Sequence, residues 1–277
     1  MKVSIKNTPR RPMLRVAALT LALALPTIAQ AHRAWMLPSS TVLSGNTPWV
    51  TVDAAVSNDL FYFEHNALAL DGLSIIRPDG STGEAQNPAK GRYRSTFDVE
   101  LNQPGTWKFR IASGGLMARY TLDGENKRWR GTAEDFAKAI PEGAGDLQVS
   151  ESYRRMDVFV TKGAPSDTVL KPEGKGLELV PVTHPNDLFA GEAATFRFLV
   201  DGQPMANLKV TVIPGGVRYR NDLKELTLTT DAQGEIRVTW PDAGMYWINT
   251  SHEDDKASLP QAKRRLGYSA TLEVLAP

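Results

Sequence analysis

The 277 residues carry 32 Lys and Arg against 31 Asp and Glu, and no cysteine. Disulfides and thiolate metal sites are thereby excluded, and a balanced charge without a basic run argues against nucleic acid as a partner. No apolar run of about 18 residues follows the first thirty, so nothing in the rest of the chain predicts a membrane span.

Residues 1–31 pass from a basic head (Lys2, Lys6, Arg10, Arg11, Arg15) through an apolar stretch (Val16 to Leu25) to Ala29-Gln30-Ala31. Charged, apolar and small-residue segments in that order predict a secretory signal peptide cleaved after Ala31. Arg10-Arg11 has the pair of a twin-arginine leader, but Pro12 fits that pattern poorly, and general secretion is the expected route. Either route leads to the periplasm of a Gram-negative cell. The leader holds five of the 32 basic residues and no acid, so cleavage takes the formal charge from +1 to −4.

Residues 32–120 read as short strands between turns. Trp49-Val50-Thr51-Val52 mixes β-branched and apolar residues, and Leu73-Ser74-Ile75-Ile76 meets the turn Arg77-Pro78-Asp79-Gly80. Tyr93 to Val99 and Thr106 to Ile111 alternate about Asn102-Gln103-Pro104-Gly105, which assigns Trp107 and Phe109 to one buried face. Residues 121–176 break this rhythm. Thr132 followed by Glu134, Asp135 and good helix formers before Pro141 predicts a short helix. The strand Arg154 to Val160 follows it, then a linker. Residues 177–277 return to alternation: Leu177 to Val182, Ala193 to Val200, Leu208 to Ile213, Glu235 to Trp240, Met245 to Thr250 and Tyr268 to Val274, with Pro/Gly turns between them. The expected fold is all-β, two tandem immunoglobulin-like β-sandwich domains with a short helical excursion between them.

Chemistry concentrates on four histidines. Cleavage after Ala31 frees the α-amine of His32, which can close a chelate ring with that residue's own Nδ1. His65 follows Glu64 in an aromatic loop, where a carboxylate could fix the tautomer of a ligating ring. His184 precedes Pro185 in a stiff turn, and its structural role there is to hydrogen bond a loop carbonyl. His252 ends a strand and opens the acidic run Glu253-Asp254-Asp255, which lacks the hinged, alternating ligands of a Ca site. Met36, Met117, Met156, Met205 and Met245 are scattered, which weighs against a Cu(I) relay.

Several segments together resemble a family of uncharacterised exported proteins associated with the periplasmic side of nickel or cobalt uptake. They are His32-Arg33-Ala34-Trp35-Met36-Leu37-Pro38, Val180 to Glu192, Phe196 to Pro204, Thr230 to Gly234 and Tyr246 to His252, spread over the whole chain beyond the leader. The resemblance implies a periplasmic protein that holds a divalent transition metal (Ni, with Cu or Co as alternatives). It would pass the metal to a membrane transporter or receive it from an outer-membrane receptor. His32, His65, His252 and His184 are the candidate ligands, and the resemblance itself includes a His at position 252. Two other readings compete. A copper-dependent oxidative enzyme would also use an N-terminal His and would need a flat aromatic surface, for which Trp35 and Trp49 are candidates. A non-catalytic interaction module would need no metal.

Overall fold

The computed structural model describes Met1 and residues 32–277; the expected leader and its cleavage after Ala31 fall outside the described residues. The first half supplies β1 (Arg33–Pro38), β2 (Trp49–Ser57), β3 (Leu73–Ile76), β4 (Ser95–Glu100), β5 (Gly105–Leu122) and β6 (Glu125–Gly131). The helix α1 (Ala133–Ala139) then leads to β7 (Gly145–Lys162). The second half adds β8 (Leu177–Pro181), β9 (Ala193–Val200), β10 (Lys209–Pro214), β11 (Glu235–Thr239), β12 (Gly244–Asp254) and β13 (Ala262–Val274).

These strands make three sheets in layers. β1, β2 and β4 pair in that order in one sheet, and β8 and β11 both pair with β9 in another. Between them a ten-stranded sheet contains β10, β12, β13, β7, β5 and β3 as successive neighbours. β7 and β13 run parallel, so this one ladder joins the first half of the chain to the second.

Alternation along β7 explains the layering. Met156, Val158 and Val160 point to one face, where Trp107 and Phe109 of β5 meet Met36, Val52 and Phe97 of the first sheet. Phe159 points to the other face, into a core with Phe196, Phe198, Trp240, Tyr246 and Tyr268. Successive side chains of a strand face opposite sides, so β7 serves both cores. The two expected sandwiches are present and have this central sheet in common. The described residues from 32 onward accordingly form one compact unit.

Segment 121–176 is about half sheet, with more strand than the single one expected. β5 runs on to Leu122 and turns back as β6, which pairs with it from Glu125 to Gly131. The short helix forms where expected: the Thr132 hydroxyl accepts from the Asp135 N–H at 3.3 Å, acids fill the first turn, and Phe136 is its buried residue. Among the described residues no helix is long and apolar enough to cross a membrane.

The second-core face of β5 and β7 carries charge. Arg110 donates to both carboxylate oxygens of Asp157, at 2.7 and 3.4 Å, and Tyr268 donates its hydroxyl to the same group at 3.1 Å. Arg155 pairs with Glu178 at 2.6 Å and with Glu173 at 3.1 Å, and Glu173 also accepts from Arg110 and Lys108. Three cations thus face three carboxylates in a layer closed over by the chain from Glu173 to Glu178. Burial pushes the Lys108 ammonium pKa down.

Two carboxylates make the fold sensitive to acid. Burial pushes Glu173 up, but the hydrogen bond from Arg110 and the charges of Arg110, Arg155 and Lys108 outweigh it and take the group from 4.5 to about 2. At Asp254 the hydrogen bond from Arg264 outweighs burial and takes it from 3.8 to about 2. Both groups are more acidic folded than unfolded. Their stabilisation is therefore complete above the unfolded values and is lost as pH falls through the window down to about 2. We expect a level melting temperature above about pH 5 and a steep fall below it, with Glu173→Gln removing part of that fall. Melts at stepped pH measure this; an unchanged slope in Glu173→Gln would rule out the Glu173 contribution.

Candidate functional site

Strand pairing brings His32 and His65 to the same end of the first sheet. On one side of β2, Ala34 pairs with Val56 and Arg33 with Ser57. On its other side Asn66 pairs with the same Val56. His32 stands just before β1 and His65 just before Asn66, so both chains converge where β2 ends. Their rings stack with centroids 3.8 Å apart and planes 14° from parallel, and both residues are exposed.

The support beneath this pair is specific. Trp35 is fully buried, donates its indole N–H to the Ser57 hydroxyl at 2.7 Å, and packs against Phe61 and Phe63 with centroids 5.4 Å away in each case. Arg33 donates to the Asn58 carbonyl at 2.8 Å, and Trp247 of β12 donates to the Ala34 carbonyl at 3.1 Å. The loop after β2 closes on Glu64, whose Oε1 accepts the N–H groups of Asn58 and Asp59 at 2.9 and 2.8 Å. Glu64 therefore shapes the backbone that presents His65, where the sequence suggested that it fixes the ring's tautomer. Phe61 holds a left-handed backbone with φ of 61°, which seats its ring against Trp35.

The other two histidines lie elsewhere. His184 is half-buried at the junction of the halves. Its Nδ1 accepts from the Asn186 N–H at 3.2 Å, and its Nε2 lies 3.0 Å from the Thr106 hydroxyl. Both nitrogens are engaged in hydrogen bonds, and burial pushes its pKa down. His252 is on the side of β12 that carries Tyr246 and Ile248, opposite to Trp247, which contacts β1. Its Nε2 is 3.7 Å from Asp254, which is itself held by Arg264 at 2.6 and 2.8 Å. Glu253 pairs with Arg265, and Asp255 with Lys263. The acidic run is thus an ion-paired strand end. Among the described residues no cluster of three or more His, Cys, Asp or Glu side chains is arranged to hold a metal.

Two imidazoles fit a nitrogen-bound ion as a partial set. Rings stacked 14° from parallel keep their in-plane lone pairs in separate planes, so sharing one ion requires a ring to turn, and both residues are exposed. The α-amine of His32 would be the third nitrogen, formed by cleavage. Trp35 is buried and Trp49 half-exposed on another part of the sheet, so the aromatic surface needed by an oxidative enzyme is not formed by that pair.

Comparison with known structures gives weak likenesses. The D0-D1 domain of Intimin is 14% identical, covers 86% of this chain and 97% of its own, and has a TM-score of 0.21. A DUF4785 family protein from Legionella pneumophila subsp. pneumophila str. Philadelphia 1 is 8% identical, with 78% and 50% covered and a TM-score of 0.23. No curated protein matches the chain. A family described as a domain of unknown function, DUF4198, matches residues 29–254, a span that includes every strand of the described residues up to the end of β12 and stops before β13; the chain belongs to the DUF4198 family.

Proposed function

We propose that the exported chain is a periplasmic, non-enzymatic carrier of a divalent transition metal (Ni, or Cu or Co) that serves a membrane transporter. The single observation in its support is the stacked His32–His65 pair just before β1, with His32 the residue that leader removal would make the terminus. The amine and ring of His32 with the ring of His65 would offer nitrogen donors without thiolate, a set suited to Ni(II) and Cu(II). We leave His184 and His252 out of this set.

The test compares two versions of the chain. One begins at His32, verified by intact mass, and the other carries one extra residue before it. The amine–ring chelate exists only in the first, so Ni(II) and Cu(II) should bind it at least about tenfold more tightly in calorimetric titration, as expected when one donor is withdrawn. Equal affinities, or an exported chain that begins at another residue, would end this reading.

A further inference from the structure

The central sheet has an overhang that the first sheet does not cover. β5 packs under the first sheet through Ile111, but it continues to Leu122 and carries β6, the start of β7 and the start of β13 with it. One face of this overhang is apolar: Leu116, Ala118, Val149 and Ala262 are covered by Phe136 of α1, with Ala257 and Leu259 beside them. The register defines the other face. Met117 pairs with Arg130 and Ser150, Arg119 with Arg128 and Gln148, Lys263 with Ser150, Arg265 with Ser152, and Arg154 with Gly267. Residues paired across strands share a face, so Arg119, Arg128, Arg130, Arg154, Lys263 and Arg265 form one basic field.

All six of those cations are exposed. Lys263 and Arg265 pair with Asp255 and Glu253. Arg119, Arg128, Arg130 and Arg154 have no carboxylate within ion-pair distance among the described residues. A groove of about 170 Å³ runs through the field, lined by Met117, Gln148 and Ser150 among its cations. Four unpaired guanidiniums close together repel one another, although the chain beyond the leader is net acidic.

We infer that this overhang is a docking surface for an acidic polypeptide segment of a partner protein. Guanidinium forks match carboxylates two oxygens at a time, and the groove's amide, hydroxyl and thioether suit a peptide's mixed chemistry. Shape selects a polypeptide over a membrane. The first sheet stands on the same face, and packed sheets are about 10 Å apart, so the field is a ledge beneath a step. A flat bilayer meets the step before the ledge, whereas a protruding acidic segment reaches it. The ledge also adjoins the histidine pair. Leu37 lines a cleft with Gly244 and Met245, and Ala34 meets Trp247, so β1 read backwards advances along β12 from Gly244 toward its ledge end, with His32 next. The docking surface does not depend on the metal reading, since neither histidine belongs to it.

The experiment uses the chain beginning at His32, an oligo-glutamate peptide as probe, and vesicles of phosphatidylglycerol in phosphatidylcholine. The peptide should bind at about 20 mM salt and weaken steeply by about 200 mM, as charge pairing is screened. Arg119→Glu/Arg128→Glu/Arg130→Glu should lose at least about tenfold in affinity while its melting temperature stays within a few degrees, because the changes are exposed. Lys171→Glu/Lys224→Glu/Arg237→Glu changes net charge equally at exposed sites away from the ledge and should bind within about twofold of the parent. Equal loss in both triple variants, or no peptide binding at low salt, would overturn the proposal. Vesicle binding that the ledge variant abolishes would assign the surface to lipid and overturn it as well. His32→Ala should leave peptide binding intact, which separates this result from the fate of the metal site.

Discussion

Asp157→Asn should be among the most destabilising single changes in this chain. The carboxylate is almost wholly buried and takes two hydrogen bonds from Arg110 and one from Tyr268. Removing its charge leaves the Arg110 guanidinium in a low-dielectric layer with only the half-exposed Glu173 as counterion. Breaking one member of a buried pair costs about 3–5 kcal/mol, because the surviving charge is neither hydrated nor matched. For a chain of this size that corresponds to a melting temperature lower by roughly 10 °C. Replacing both members, as in Arg110→Met/Asp157→Leu, should recover most of the loss, since apolar residues of similar volume are tolerated where an ion pair stood. Thermal melts of the two variants decide it: a melting temperature for Asp157→Asn within about two degrees of the parent would mean that water reaches this layer.

His32→Ala should abolish tight metal binding while leaving the fold alone. The ring supplies one donor, and its loss also leaves the amine without a chelate partner, so two nitrogens are removed by one substitution. Affinity for Ni(II) or Cu(II) should fall by more than about a hundredfold, beyond the effect of an outer-sphere group. His65→Ala removes one nitrogen and should weaken binding less. Neither change should move the metal-free melting temperature appreciably, since both rings are exposed and the Trp35 anchor beneath them is untouched. Calorimetric titration of the chain beginning at His32 measures this, with melts of the metal-free forms alongside. Parental affinity in His32→Ala would remove the site.

The strand pattern was legible because most faces obey alternation. Trp107 and Phe109 are core as the sequence implies, and α1 begins at its Thr132 cap. Lys108 and Arg110 alternate with those aromatics, and a charge every second residue reads as a wetted face; here it faces a buried counter-charged layer. Carboxylates from Asp157, Glu173 and Glu178 arrive from distant parts of the chain, and no local pattern announces them. The same limit applied to the histidines. Spacing could not show that His32 and His65 flank one strand, because that depends on Ala34 and Asn66 choosing the same partner, Val56. His184 is set apart by a single local cue, the Thr-His-Pro-Asn turn, which predicted a hydrogen bond to a loop carbonyl; the ring instead accepts the Asn186 N–H and meets the Thr106 hydroxyl.

Sharing β7 between the cores has a mechanical consequence. Val149 to Val158 of that strand are laddered to β13, while nearly its whole length is laddered to β5. The two sandwiches therefore have no hinge between them, and rotating one against the other would require tearing a continuous ladder. A chain built this way, were it to act as the proposed carrier, would not open and close around its cargo as two-lobed binding proteins do. Loading and release at the histidine end would have to be driven from outside, by proton, competing ligand or an arriving partner, with the sheet acting as a fixed arm that holds the terminus in place.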